Sequence, residues 1–515
     1  MAEPGGEMDV TGAEIGLSAA PGGTSALPRI HPHGPPSGPA LRKAMLIATG
    51  GWMFGSVWFS SMSGTPLTLY AKQLGASQFQ FGLLAALPFL ASILSLPASI
   101  LIEATGQRKR IFLLGLYLQR FLWFVIAIAP LWILNKGGFT HQRLAMSVFL
   151  WLMFIMYSGQ AIGGPAWVTW MADLVPDRIR GKYFSRRRQF GMLTAVPAAW
   201  IVGWLLDTQP SSEPFSIMRW CAGIFIIAAI FGVLDIHMFQ YVPDIPKRPQ
   251  KGLELIRALR EPLGDRRFLW FAGFVGTLFF AMSFMGQFVT LYVMDEAAKS
   301  GTHMNRTAQM MLIVTPYLAQ LMCMGLWGHT ADRMGKKPLL GVAALGLVPV
   351  GIGWCVLTES TVWVGYILSA VGAALWAAVE IANFNIVLEM SETPESGGTG
   401  GGSSYVAVNS VIINIAGCLG GLSAGVIAES LKNWEAFWLF KTFRGYDILF
   451  AVSAVMRLLA VVVFLPFIKD ATARPTAQAV RFMMSNVYNN LFNAMQQPVK
   501  LLRLGRDEAQ RRKAA

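Results

Sequence analysis

The sequence predicts an all-α integral membrane protein of twelve transmembrane helices, arranged as two pseudo-symmetric six-helix bundles. Three observations carry this. Apolar runs of about 20 residues, each able to cross a hydrocarbon core of roughly 30 Å, recur along most of the chain. Charge is scarce, at 14% of residues against 54% hydrophobic, where soluble domains carry about 25% charge. A charged, glycine-containing turn recurs at the same place in each half.

The elements follow in order. Residues 1–41 are rich in Gly and Pro, as in HPHGPPSGP, and predict a disordered cytoplasmic tail. They lack the charged start and apolar core of a signal peptide. The first bundle, 42–242, holds spans at 44–68, 77–102, 110–133, 144–173, 187–207 and 217–242, and Pro197 inside the fifth is tolerable in a membrane helix. The connection 243–266 combines an extended VPDIPKRPQ with GLELIRALREPL, which predicts a short amphipathic helix on the membrane surface. The second bundle, 267–470, holds spans at 267–294, 307–330, 338–358, 361–390, 404–429 and 447–469. Residues 471–515 carry eight Lys/Arg and two Asp/Glu, with apolar Phe482, Met483, Val487, Leu491, Phe492 and Met495 at helical spacing. This tail predicts an interfacial helix on an anionic leaflet.

A net charge of +14 could point to nucleic acid, but the cations sit in short loops between apolar runs. The loops after the second, fourth and eighth spans carry Arg108, Lys109 and Arg110; Arg178, Arg180, Lys182 and Arg186 to Arg188; and Arg333, Lys336 and Lys337. The 243–266 connection adds Lys247, Arg248, Lys251, Arg257 and Arg260. Opposite loops hold Asp295, Glu296, Glu359, Glu429 and Glu435. The positive-inside rule therefore places the even-numbered connections and both termini in the cytoplasm of a cell (plasma) membrane protein. SETPESGGTGGGSS, after the tenth span, has no cation and is the exception. Cys221, Cys323, Cys355 and Cys418 each stand alone in an apolar run, so they read as small core residues.

The repeat aligns IEATGQRKR (102–110) with ADRMGKKPL (331–339), placing Glu103 on Asp332, Gly106 on Gly335 and Arg108 on Lys337. A second repeat aligns DLVPDRIRG, from Asp173, with EMSETPES, from Glu389. Halves with an even number of spans run parallel. Gly328-x-x-x-Asp332-Arg333-x-Gly335-Lys336-Lys337-Pro338 resembles the signature loop of the major facilitator superfamily. The resemblance covers about 42–470; in the first copy Ser99 replaces the leading Gly and Ala104 the Arg. It implies a carrier whose loops clamp the two halves together in one conformation. The latch residues would be Gly328, Asp332, Arg333, Gly335, Lys336, Glu103, Gly106 and Arg108, with Asp332 facing Arg186 to Arg188. The plainer reading of the two lysines is that they set topology.

A cargo site is expected near the midplane between the halves, where buried polar groups are costly. The candidates are Ser60 (with Ser61 and Ser63), Gln160, Gln287 (with Thr290), Glu380, Asn383, Asn385, Asn409 and Asn414. Trp52, Trp58, Trp167, Trp170 and Trp376 could supply aromatic walls. Glu380 is the one midspan acid without a cation nearby on its helix, which makes it the candidate proton carrier. Arg120 and Arg457 are deep and read as structural partners within their halves, Arg457 toward Asp447 or Asp235. Asp235 and His237 read as markers of the membrane interface, and GGPAW (163–167) as a loosened joint in the fourth span. No GxxxxGK[ST], HExxH or CxxC pattern occurs, so ATP-driven transport and common hydrolase chemistry have no support. The expected function is secondary active transport of a small organic solute by alternating access, coupled to protons. The expected partners are that solute, protons and the lipid bilayer, without nucleic acid, metal or cofactor, and the chain is expected to act as a monomer. The alternative is a non-transporting membrane sensor or scaffold with the same fold.

Overall fold

The computed structural model describes residues 38–209, 214–245, 262–299, 304–392, 402–438, 441–468 and 470, with a few positions between 475 and 482. The expectations for residues 1–37, for most of the 243–266 connection and for nearly all of the 471–515 tail lie outside the described residues.

The first predicted span is two helices, α1 (Gly38–Met62) and α2 (Thr65–Gln73). They break at Gly64, whose φ of 69° favours glycine, just before Pro66. The second is also divided, into α3 (Gln78–Ser92) and α4 (Ser95–Thr105). A capping box starts α3: Gln80 N donates to Ser77 Oγ at 3.2 Å, and Ser77 N to Gln80 Oε1 at 2.9 Å. The first half continues with α5 (Arg108–Gly137), α6 (Gln142–Leu174), α7 (Asp177–Asp207) and α8 (Pro214–Met238). The second comprises α9 (Arg266–Lys299), α10 (Arg306–Met334), α11 (Lys336–Val356), α12 (Val364–Glu392), α13 (Gly402–Ser430) and α14 (Gly445–Leu459), the last prolonged by tighter and wider turns to Phe467.

Among the described residues, twelve helical segments thus reach membrane length. Ten of them are long and apolar enough to span a bilayer by that measure. The other two, α1 and α10, have 25 and 29 residues, enough length at about 1.5 Å per residue. This is a multi-pass membrane protein. One unpredicted element precedes α14, a hairpin of β1 (Glu435–Trp438) and β2 (Lys441–Arg444). Buried Lys441 pins it, donating from Nζ to Asp447 Oδ1 at 2.6 Å and to Cys355 O at 3.0 Å.

Within the first half α1 packs on α7 and α8, and α5 on α6 and α8. Within the second, α9 packs on α13 and α14, and α11 on α12 and α14. The halves meet along α3 with α13 and along α7 with α10. In each seam the second span of one half faces the fifth of the other, as the internal repeat requires. The first seam is built on glycine. A Cβ on Gly425 would lie 2.9 Å from Gly82 Cα and 3.0 Å from Phe79 O. Small residues let membrane helices approach to backbone contact. Gly425→Leu is expected to cost about 1–3 kcal/mol by overpacking and to lower the thermal midpoint in detergent; an unchanged melting curve would contradict a tight seam.

The seams are tied at the end of the bundle that carries Asp207. Asp207 accepts from Arg306 N at 2.6 Å, Thr307 N at 3.0 Å and Thr307 Oγ1 at 2.5 Å, so the last residue of α7 caps α10 of the other half. On the other seam, Gln78 Nε2 donates to Tyr446 OH at 2.8 Å and Phe79 N to Glu429 Oε2 at 3.4 Å.

Candidate functional site

A cavity of about 380 Å³ lies between the halves, lined by α1, α7 and α10. Trp52, Phe59, Phe184 and Tyr317 supply aromatic walls. Ser56, Ser60 and Ser63 face it as well, but their hydroxyls donate to Trp52 O (2.7 Å), Val57 O (3.2 Å) and Phe59 O (2.8 Å) of their own helix. They present lone pairs to the cavity, which makes them acceptors there.

Two arginines bring charge. The Cζ of Arg187 lies 4.7 Å from the Trp52 ring and 4.9 Å from the Trp167 ring, a stacking arrangement suited to a guanidinium in a low-dielectric site. Its Nε donates to Ala48 O at 3.3 Å. Arg188 Nη2 donates to Gln320 Oε1 at 2.8 Å, a bond that crosses from α7 to α10 and joins the halves. The sequence-predicted fifth span began at Arg187, whereas the helix begins at Asp177. Arg187 and Arg188 therefore lie well inside the helix instead of in its preceding loop.

A second cavity, of about 340 Å³, lies within the second half and shares Tyr317 with the first. Gln320, Trp354, Trp376 and Arg457 are among its lining residues.

Glu380 is exposed on α12, where Trp376 Nε1 donates to its Oε1 at 2.9 Å. Gln287 Nε2 donates to Thr68 Oγ1 at 2.7 Å, tying α9 to α2 between the halves. Asn409 Nδ2 donates to Asn383 Oδ1 at 3.3 Å, while the buried Asn409 Oδ1 has no hydrogen-bond partner among the described residues. Asn385 and Asn414 are half-buried on the same two helices, α12 and α13. Gln160 accepts from Gln119 Nε2 at 3.0 Å within the first half, away from the central cavity lining. The structure thus gathers Ser60, Arg187, Arg188 and Tyr317 at the cavity between the halves and Gln320 and Trp376 at the second cavity, while Glu380 lines neither.

The repeated turn uses its glycines conformationally. Gly106 and Gly335 have φ of 67° and 95°, and each ends one helix a residue or two before the next begins. Lys336 Nζ pairs with Glu389 Oε2 at 2.5 Å, and Arg108 Nη2 with Asp173 Oδ2 at 2.6 Å. The acids are repeat-equivalent, since Asp173 and Glu389 open the second repeat, but the cations are offset by one position, because Arg108 aligns with Lys337 and Lys336 with Gln107; each pair lies inside one half. Asp470 Oδ2 caps α11, accepting from Lys336 N at 2.7 Å and Lys337 N at 2.9 Å. Arg333 is exposed, with Cζ 5.4 Å from the Phe482 ring. Glu103 is half-buried, and Gly328 has open space where a Cβ would stand. The side chain of Asp332 lies outside the described residues.

Two expectations for deep charges are corrected. Asp235 is not an interface marker: it is 4% exposed, with Oδ2 accepting from Arg120 Nη2 at 3.1 Å. It also does not pair with Arg457, and neither does Asp447, which Lys441 holds. Sequence reading also missed Gln320 and Tyr317, since nothing in α10 marks them beyond polarity in an apolar run.

A family model described as Major Facilitator Superfamily matches residues 47–421. No curated protein sequence matches the chain. Among solved structures, a mutant of the nucleoside transporter NupG superimposes with a TM-score of 0.65 at 12% identity, covering 84% of this chain and 100% of that one. A D-xylose-proton symporter gives 0.60 at 16% identity, covering 84% and 99%. The xylose transporter XylE from E. coli, in a partially occluded inward-open conformation, gives 0.57 at 16%, covering 85% and 100%. At these identities the likeness is one of fold.

Proposed function

The chain belongs to the major facilitator superfamily, and from that premise we propose that it is a secondary active transporter that moves a small organic solute by alternating access, coupled to protons. One observation carries this reading: a cavity of about 380 Å³ lies where the two halves meet, and beyond it Asp207 on α10 and Gln78 on Tyr446 tie the halves at one end. A site between two bodies that can rock is what alternating access requires. The cavity walls are aromatic, so the cargo has an apolar or ring-containing body.

Each residue then has a role. Ser60, Tyr317 and Gln320 contact cargo, and Asn383, Asn385, Asn409, Asn414, Gln160 and Gln287 set the polar background or the helix pairing around it. Glu380 carries the proton, with Trp376 Nε1 donating to its carboxylate. The turn residues Gly328, Asp332, Arg333, Gly335, Lys336, Glu103, Gly106 and Arg108 act as the latch at the opposite end from Asp207. The cation-rich loops support a cytoplasmic side for that end, the 1–41 tail, the 243–266 linker and the 471–515 tail, and the membrane of this proposal is the plasma membrane. Segments 42–242 and 267–470 are the two rocking bodies. The protein works as a monomer.

The test is proton movement in proteoliposomes with an internal pH dye and a mixed metabolite and drug library, comparing wild type with Glu380→Gln. Cargo-dependent acidification is expected for wild type, falling at least about tenfold in the variant, as loss of a proton-transfer group does. Cargo flux without proton movement would remove Glu380 from this role, and no flux from folded protein would overturn the carrier reading.

A further inference from the structure

Arg457 of α14 is 1% exposed, inside the second half. Its Nη1 donates to Leu347 O at 2.7 Å, and its Nη2 lies 2.6 Å from Met285 Sδ. Its Nε has no partner, and among the described residues no carboxylate pairs with it. A guanidinium stays protonated in proteins. A charge held out of water without a counter-ion is strongly unfavourable, and inside a membrane domain it marks a functional site.

The first half compensates such a charge internally. There Arg120, on the third helix of its bundle, pairs with Asp235 on the sixth at 3.1 Å. The corresponding helices of the second half are α11 and α14. Arg457 occupies this same interface from the sixth-helix side, facing Leu347 and Gly351 of α11; a Cβ on Gly351 would lie 3.4 Å from its Nη1. α11 carries no acid to stand opposite it. Instead Arg457 forms part of the wall of the 340 Å³ cavity.

We propose that this cavity binds a small organic monoanion, a single carboxylate on an apolar body, with Arg457 as its counter-ion. One buried cation matches one negative charge, and a planar guanidinium suits a carboxylate. Met282, Val350, Trp354 and Leu368 offer the body apolar walls, and Gln320 and Ser369 are polar groups at the same cavity. The volume falls in the lower range of ligand pockets, about 300–1,000 Å³. Tyr317 borders both this cavity and the one between the halves, so the anion would occupy a branch of the transport site. That last step alone rests on the proposed function; the binding does not.

The experiment is calorimetric titration of the purified full-length protein in detergent with benzoate and octanoate, their neutral amides, chloride and phosphate. Wild type is expected to bind at least one carboxylate at least tenfold tighter than its amide, and Arg457→Gln to lose that preference. Arg457→Lys keeps a buried cation without the planar fork; it is expected to melt as wild type does and to bind the carboxylate more weakly than wild type but still above its amide, which keeps the test open if the first variant misfolds. Equal binding of carboxylate and amide, equal binding by wild type and folded Arg457→Gln, or no anion binding at all would overturn the proposal. Binding of chloride or phosphate without either carboxylate would overturn its organic assignment. Flux of a neutral cargo with no carboxylate binding would leave the carrier reading intact and remove this one, whereas Arg457-dependent binding without any flux would do the reverse.

Discussion

Asp235→Ala is expected to destabilise the protein by about 3–5 kcal/mol, the cost of leaving one partner of a buried ion pair alone. Arg120 is 5% exposed and has no other carboxylate among the described residues. Its remaining contacts are Gly232 O at 3.3 Å, Gln119 Oε1 at 2.9 Å and the Trp58 ring, 3.4 Å from Cζ. None of them supplies negative charge. The pocket for Asp235 is cut to fit, because a Cβ on Gly55 would lie 2.5 Å from its Oδ2 and one on Gly51 3.2 Å from Oδ1. A reduced thermal midpoint and low yield from membranes are the expected readouts. Removing both charges together, as Arg120→Leu with Asp235→Leu, should recover much of the loss, since the uncompensated charge is the larger cost. A double variant no more stable than Asp235→Ala would count against the pair as the cause.

Asp207→Ala is expected to act on conformation. Three donors of α10 meet the Asp207 carboxylate, and Arg306 Nη1 reaches Leu206 O beside it. Hydrogen bonds to charged groups contribute about 1.5–3 kcal/mol each and overlap when they share one acceptor. A net loss of about 2–3 kcal/mol, specific to the state closed at this end, shifts the open-to-closed ratio roughly 30- to 150-fold. The measurement is labelling of Ser60→Cys by an impermeant maleimide from each side of the membrane, with the four native cysteines replaced. Labelling from the Asp207 side should rise in Asp207→Ala. Identical labelling in the two backgrounds would show that the cap does not hold the state.

Much of the architecture is legible in the chain because bilayer transfer is a property of segments. A run of about 20 apolar residues must cross or be buried wherever it stands. The turns at Gly106 and Gly335 are legible for a similar reason, since a positive φ selects glycine locally. The acids Asp173 and Glu389 repeat visibly, but nothing in the alignment shows that they pair with Arg108 and Lys336. The hairpin at 435–444 escaped notice because its anchor is Lys441 on Asp447, a contact made by tertiary position.

The site itself was only half visible. Glu380 and Ser60 stood out as polar groups in apolar runs, whereas Arg187 and Arg188 looked like loop cations until α7 proved to start ten residues earlier. Gln320 had no signal beyond its type. Arg120, Asp235 and Arg457 could all be seen as deep charges, but their partners could not be named. Hydropathy reports depth along a helix and says nothing of the direction a side chain faces. Pairing requires equal depth and facing rotation on two packed helices, and packing alone sets those. The sequence by itself determined the spans, the internal repeat and the charged turns. The tertiary structure decided that Arg120 meets an acid and Arg457 meets a cavity.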